Sequence, residues 1–167
     1  MPIFAQDILN TGPWGLGLMR TAPAVGALLM SILFAYYPLK KAFGPTLFGA
    51  LAVFGLATML FAISTNLLVS LFALLIIGAS DVVSVVIRST LVQLQTPDEM
   101  RGRVNAVNSL FIGTSNQLGE FESGTLAGFV GAVPAALIGG LGTIVIAGLW
   151  MYLFPSLRRL RSLSESQ

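Results

Sequence analysis

The 167-residue chain contains no cysteine and no histidine. Disulfides are thereby excluded, and zinc or haem centres lose their usual donors, so neither a metal nor another cofactor is expected. Most nucleophile–base pairs of covalent catalysis draw on the same two side chains. Neither a GxSxG elbow nor a GxxxxGK(S/T) phosphate loop occurs, and no enzymatic activity is expected. Charge is also scarce. Asp, Glu, Lys and Arg make up 10% of the residues, against about 25% in a soluble domain. So few charges cannot cover a water-exposed surface. With 55% hydrophobic residues and a mean hydropathy of +0.86, the apolar surface is expected to face a lipid bilayer. The net charge of +2 comes mostly from connectors between apolar runs. It suits the anionic headgroups of a cytoplasmic leaflet and does not suggest nucleic acid.

What the chain does have is long apolar runs. A bilayer core needs about 20 apolar residues in a helix, and five runs are of that length: 14–37, 44–64, 67–95, 104–129 and 133–154. None alternates with the period of two that strands require. Residues 1–154 therefore read as one all-α transmembrane bundle, and 155–167 as a basic cytoplasmic tail. Thr96-Pro97-Asp98-Glu99 predicts a helix start with Thr96 as N-cap. Met1–Ala5 lacks the basic region and apolar stretch of a signal peptide, and reads as the tail of a preceding helix.

Positive charge sets the expected orientation. Lys40 and Lys41 occupy one connector, Arg101 and Arg103 another, and Arg158, Arg159 and Arg161 the tail, while the intervening connectors carry no Lys or Arg. By the positive-inside rule the basic connectors are cytoplasmic topology anchors, and the C-terminus is cytoplasmic.

Charges inside the runs are costly and mark a protein interior or a wet cavity. They are Arg20, Asp81, Arg88, Glu120 and Glu122, all on the first, third and fourth runs. The second and fifth runs carry none and are expected to face lipid. Counting residues sets Arg20 and Glu120 at similar depth, which allows Arg20 to pair with Glu120 or Glu122 across two helices. Asp81 and Arg88 share a face two turns apart, and Arg88 is expected to snorkel to the cytoplasmic interface. Asn105, Asn108, Ser109, Asn116 and Glu120 form a polar stripe on the fourth run. Gly124-Thr125-Leu126-Ala127-Gly128 suggests close helix packing there.

The stretch Thr96-Pro97-Asp98-Glu99-Met100-Arg101-Gly102-Arg103-Val104-Asn105-Ala106-Val107-Asn108-Ser109-Leu110-Phe111 resembles the connector before the eleventh helix of the major facilitator superfamily, in its enterobactin-exporter-like branch. The continuation Gly113–Gly124, and the opening Pro2-Ile3-Phe4-Ala5 with Gly12-Pro13-Trp14-Gly15-Leu16-Gly17, are similar to that branch as well. The resemblance implies the C-terminal half of a twelve-helix bundle: the end of helix seven and helices eight to twelve. It implies a bacterial inner-membrane exporter of a small molecule, working by alternating access and proton antiport with an N-terminal six-helix half. Arg20, Asp81, Glu120 and Asn116 are then the expected substrate or proton contacts. Lys40, Lys41, Arg101 and Arg103 would act at the cytoplasmic gate or as anchors. The alternative from a different class is a non-transporting membrane scaffold, or truncated product, assembling through its Gly-rich helices.

Overall fold

The computed structural model describes residues 12–37 and 43–153. Lys40, Lys41 and the basic tail lie outside the described residues. Five helices run in order: α1 (Gly12–Tyr36), α2 (Phe43–Ile63), α3 (Leu67–Gln95), α4 (Arg101–Val130) and α5 (Ala132–Leu153), with a 3-10 turn at Asp98–Met100 before α4. No strand occurs among the described residues. The fold is an all-α bundle.

Local chemistry sets the connections. Between α2 and α3, Asn66 caps the new helix, its Oδ1 accepting from the Leu68 amide at 2.9 Å. Ser64 Oγ donates to the Asn66 carbonyl at 3.0 Å, and Ser70 Oγ donates to Ser64 Oγ at 3.1 Å. Both serines are buried, so this turn is knotted into the core. Between α4 and α5 the chain reverses at one residue. Gly131 takes φ 90° and its amide bonds back to Ala127 O at 3.0 Å, in a conformation that disfavours any side chain.

The third connection differs from expectation. Thr96 ends α3 and does not cap α4: its hydroxyl donates backwards to Val92 O at 2.6 Å. A threonine after a long helix can satisfy a carbonyl of the last turn, and here that bond displaces the N-cap role. Asp98 and Glu99 fall in the 3-10 turn, and α4 begins at Arg101 with no side-chain cap.

The helices pack in a row: α1 on α3, α3 on α2, α2 on α5, and α5 on α4. One core cluster joins Met19, Phe61, Ala73 and Leu74, and another joins Ala50, Val83 and Ile87 with Met30 and Phe34 against them. These contacts make α1 parallel to α3, and α2 antiparallel to it. The second and fifth runs are thus not merely peripheral. Both α2 and α5 pack on two neighbours, while Leu56, Leu60, Val145 and Ile146 remain on their outer faces.

Glycines decide the crossings. A Cβ on Gly26 would run into the backbone of Leu75, and one on Gly78 into that of Pro23. Where α2 crosses α5, a Cβ on Gly55 would lie 2.9 Å from Gly140 O, and one on Gly140 would lie 3.0 Å from Gly55 O. The expected close packing at Gly124 and Gly128 does not occur, since nothing lies within 4 Å of a Cβ at either. Their helix buries no residue at all.

Pro13–Tyr36, Gly44–Ile63, Leu67–Gln93 and Ala132–Leu153 are long and apolar enough to cross a membrane. The fourth run, expected to be another such span, differs. With 30 residues α4 has the length, about 45 Å at 1.5 Å per residue. Its asparagines, serines and two glutamates keep it out of that group.

Candidate transport site

The fold gathers polar groups into two cavities. The larger, about 940 Å³, separates the polar face of α4 from the rest of the bundle. Asn116, Glu120, Ser115 and Ser123 line it from α4, and apolar Phe61, Leu74 and Ile77 lie on its other side. Asn116, Glu120 and Ser123 share a face because their spacings of four and three residues follow the helical turn, and Ser115 borders it. Asn105 and Ser109, also on the expected stripe, do not line this cavity.

The smaller cavity, about 240 Å³, lies between α2, α3 and α5. Asp81, Arg88 and the buried Ser80 and Ser84 come from α3, and Leu47, Leu51 and Phe54 from α2. Phe54 and Thr143 line both cavities, so the two meet at that pair. Thr143 spends its hydroxyl proton on Gly139 O at 2.9 Å. Glu120 lies 11 residues before Gly131 and Thr143 lies 12 after it. Both are thus about 16–18 Å from that turn. The carboxylates of Asp81 and Glu120 therefore stand at comparable depth, on opposite sides of the Phe54–Thr143 boundary.

Arg20 departs from the expected arrangement. It is exposed, lines neither cavity and makes no ion pair with Glu120 or Glu122. Its neighbour Met19 packs with Phe61 and Leu74, about 10 Å nearer the Gly131 end than the Phe54 level. Counting from run ends alone put Arg20 and Glu120 together because it ignored how far each helix slides along its neighbour. Among the described residues the ion pair is Arg101 with Asp98, at 2.8 Å on the exposed connector. Arg101 Nε also reaches Thr96 O at 3.4 Å. Arg103 is exposed on the first turn of α4.

Phe54, Thr143, Ser80 and Ser84 were not legible as site residues. Ser80, Ser84 and Arg88 do repeat every four residues alongside Asp81, and that spacing was the available signal. No comparable signal exists for Phe54 or Thr143. No cluster of His, Cys, Asp or Glu able to hold a metal occurs among the described residues.

The profile of a family described as "transmembrane secretion effector" matches residues 1–166. The chain belongs to that family, within the major facilitator superfamily. This family member is similar to "Enterobactin exporter EntS" of Salmonella paratyphi A, at 29% identity over 154 residues, covering 84% of this chain and 37% of that protein. The protein of the same name from Salmonella choleraesuis is 28% identical over 151 residues, covering 82% of this chain and 36% of the relative. That from Escherichia coli O1:K1 is 29% identical over 151 residues, with the same shares of 82% and 36%. The family member thus spans little more than a third of the length of the relatives it matches. No solved structure matches it. Membership places it with membrane transporters, not enzymes, and agrees with the all-α bundle of apolar helices.

Proposed function

We propose that this chain is the C-terminal part of a proton-coupled exporter that moves a small molecule across a bacterial inner membrane by alternating access. Residues 1–154 form its membrane bundle and 155–167 its cytoplasmic tail. A six-helix N-terminal half, of the length by which the relatives exceed this chain, completes the central cavity. Substrate and protons meet at Asp81, Glu120 and Asn116, and Arg20 stands at the outer rim where it attracts anionic groups. Lys40, Lys41, Arg101 and Arg103 face the cytoplasm as anchors, in keeping with their positive charge.

The observation that carries this reading is the pair of carboxylates, Asp81 and Glu120, on two cavities that share Phe54 and Thr143. A bilayer-spanning bundle keeps ionisable groups at mid-depth only where they are paired or wet. Two protonatable groups on adjoining cavities can exchange protons for cargo, and Asn116 offers both a donor and an acceptor to the larger one.

Efflux from cells expressing the full-length gene tests the reading, with enterobactin, named for the relatives, as the first cargo tried. Glu120→Gln and Asp81→Asn are each expected to lower proton-driven export at least tenfold while leaving membrane insertion intact. Export at the parental rate by both variants overturns the coupling assignment. Parental expression and insertion with no export of any cargo tried favours the non-transporting scaffold.

A further inference from the structure

We infer that the cargo of the larger cavity is an amphipathic monocation, its positive group held by Glu120 of α4 and its apolar body laid against Phe61, Leu74 and Ile77. This rests on the exporter reading above and deepens it, because that reading leaves the chemical class of the small molecule open.

Charge balance sets the two cavities apart. The smaller is lined by one acid and one base, Asp81 and Arg88, and is formally neutral. The larger is lined by a single ionisable side chain among the described residues, that of Glu120, and by no Lys or Arg. Arg20, at the rim, is outside its lining. The nearest base on α4 is Arg103, 17 residues before Glu120, or about 25 Å along the helix. Glu122, two residues beyond Glu120, does not line the cavity either. An anion placed here would meet a carboxylate and no cation, which disfavours its binding. A cation meets its complement.

Only one side of the cavity has polar groups to spare. Thr58 and Thr143, which line it from α2 and α5, donate their hydroxyl protons to Phe54 O and Gly139 O at 2.8 and 2.9 Å. The side chains of Asn116, Glu120 and Ser123 make no hydrogen bond or ion pair among the described residues. Their carboxylate, amide and hydroxyl oxygens are acceptors, so α4 presents a set suited to an ammonium or amidinium group. On the opposite wall Phe61, Leu74 and Ile77 bring hydrocarbon alone. The space of about 940 Å³ falls within the roughly 300–1,000 Å³ of sites for drug-sized ligands, which combine apolar walls with a few placed polar groups.

The test uses purified full-length protein in detergent with two probes of one shape and opposite charge, tetraphenylphosphonium and tetraphenylborate. Binding of the labelled phosphonium is expected to saturate and to be about tenfold or more tighter than that of the borate. Glu120→Gln should weaken it about tenfold. Glu122→Gln, the same charge change off the lining, should weaken it by less than about twofold. Borate bound as tightly as phosphonium by the parent protein overturns the proposal, whatever the variants do. So does an equal loss in the two variants, which marks attraction by overall charge. Enterobactin export that depends on Glu120, with no saturable phosphonium binding, overturns the cationic class and leaves the exporter reading intact. Phosphonium binding lost in Glu120→Gln, with no proton-driven export of any cargo, supports the site and sinks the exporter reading.

Discussion

Helices α3 and α4 are nearly equal in length, 29 and 30 residues, and each carries ionisable groups at mid-depth. They solve that problem in opposite ways. Helix α3 packs on α1 and α2, buries Ala73, Leu74 and Ile87 almost completely, and confines its charges to the side facing the small cavity. Helix α4 touches α5 and its own connector, buries nothing, and turns its polar face to the large cavity. Packing density is what separates them. The α3 charges line a small cavity on a helix whose remaining faces are filled, whereas Glu120 of α4 lines the large one on a helix that buries nothing. A load-carrying helix and a cavity-facing helix can therefore be told apart by what their small residues touch, and not by how many they contain.

Substitutions that add bulk should break the comparison most sharply. Gly78→Ala drives a methyl into the Pro23 backbone and is expected to cost about 1–3 kcal/mol, lowering the unfolding temperature in detergent. Gly119→Ala on α4 meets nothing within 4 Å and should be neutral, or stabilising by up to about 1 kcal/mol through helix propensity. Equal losses at the two sites would show that α4 is packed after all.

Asn66→Ala, which removes the α3 cap, should cost about 0.5–2 kcal/mol, and hydrogen exchange should report faster opening of the first turn of α3 first. Protection unchanged there would mean that the Ser64–Ser70 knot alone holds the turn.

On the exposed connector, Asp98→Asn breaks the ion pair with Arg101, whose side chains are 84% and 49% accessible. Solvent screening limits that loss to less than about 1 kcal/mol, checked by the same unfolding measurement at low and high salt. A larger loss would make this connector a structural clamp for α4.

The smallest stability effect is expected from Asn116→Leu on α4, within about 0.5 kcal/mol of the parent. Under the proposed function its export rate should nevertheless fall. A variant that kept export but lost stability would reverse the roles given to α3 and α4.

Much of this architecture was legible before any coordinates. The apolar runs, the polar face of α4 and the chemical candidates Asp81, Glu120 and Asn116 follow from residue type and helical period. Thr96 was misread because a threonine between two helices can bond forwards as a cap or backwards to the last turn, and both choices look alike in sequence. The Gly124–Gly128 spacing was misread for a related reason. Glycine permits a close approach but does not supply the neighbour, and the neighbours lie at Gly26, Gly55, Gly78 and Gly140.

By itself the sequence determined that the chain is helical, membrane-bound in composition and free of the residues that thiol or imidazole chemistry needs. Those properties are local: they depend on which side chains recur along one helix and on the cost of putting them in lipid. Only the tertiary structure decided that Arg20 stands apart from Glu120, and that Phe54 and Thr143 line both cavities. These depend on how far one helix slides along another before backbones meet, and the glycine contacts that set that slide come from residues far apart in the chain.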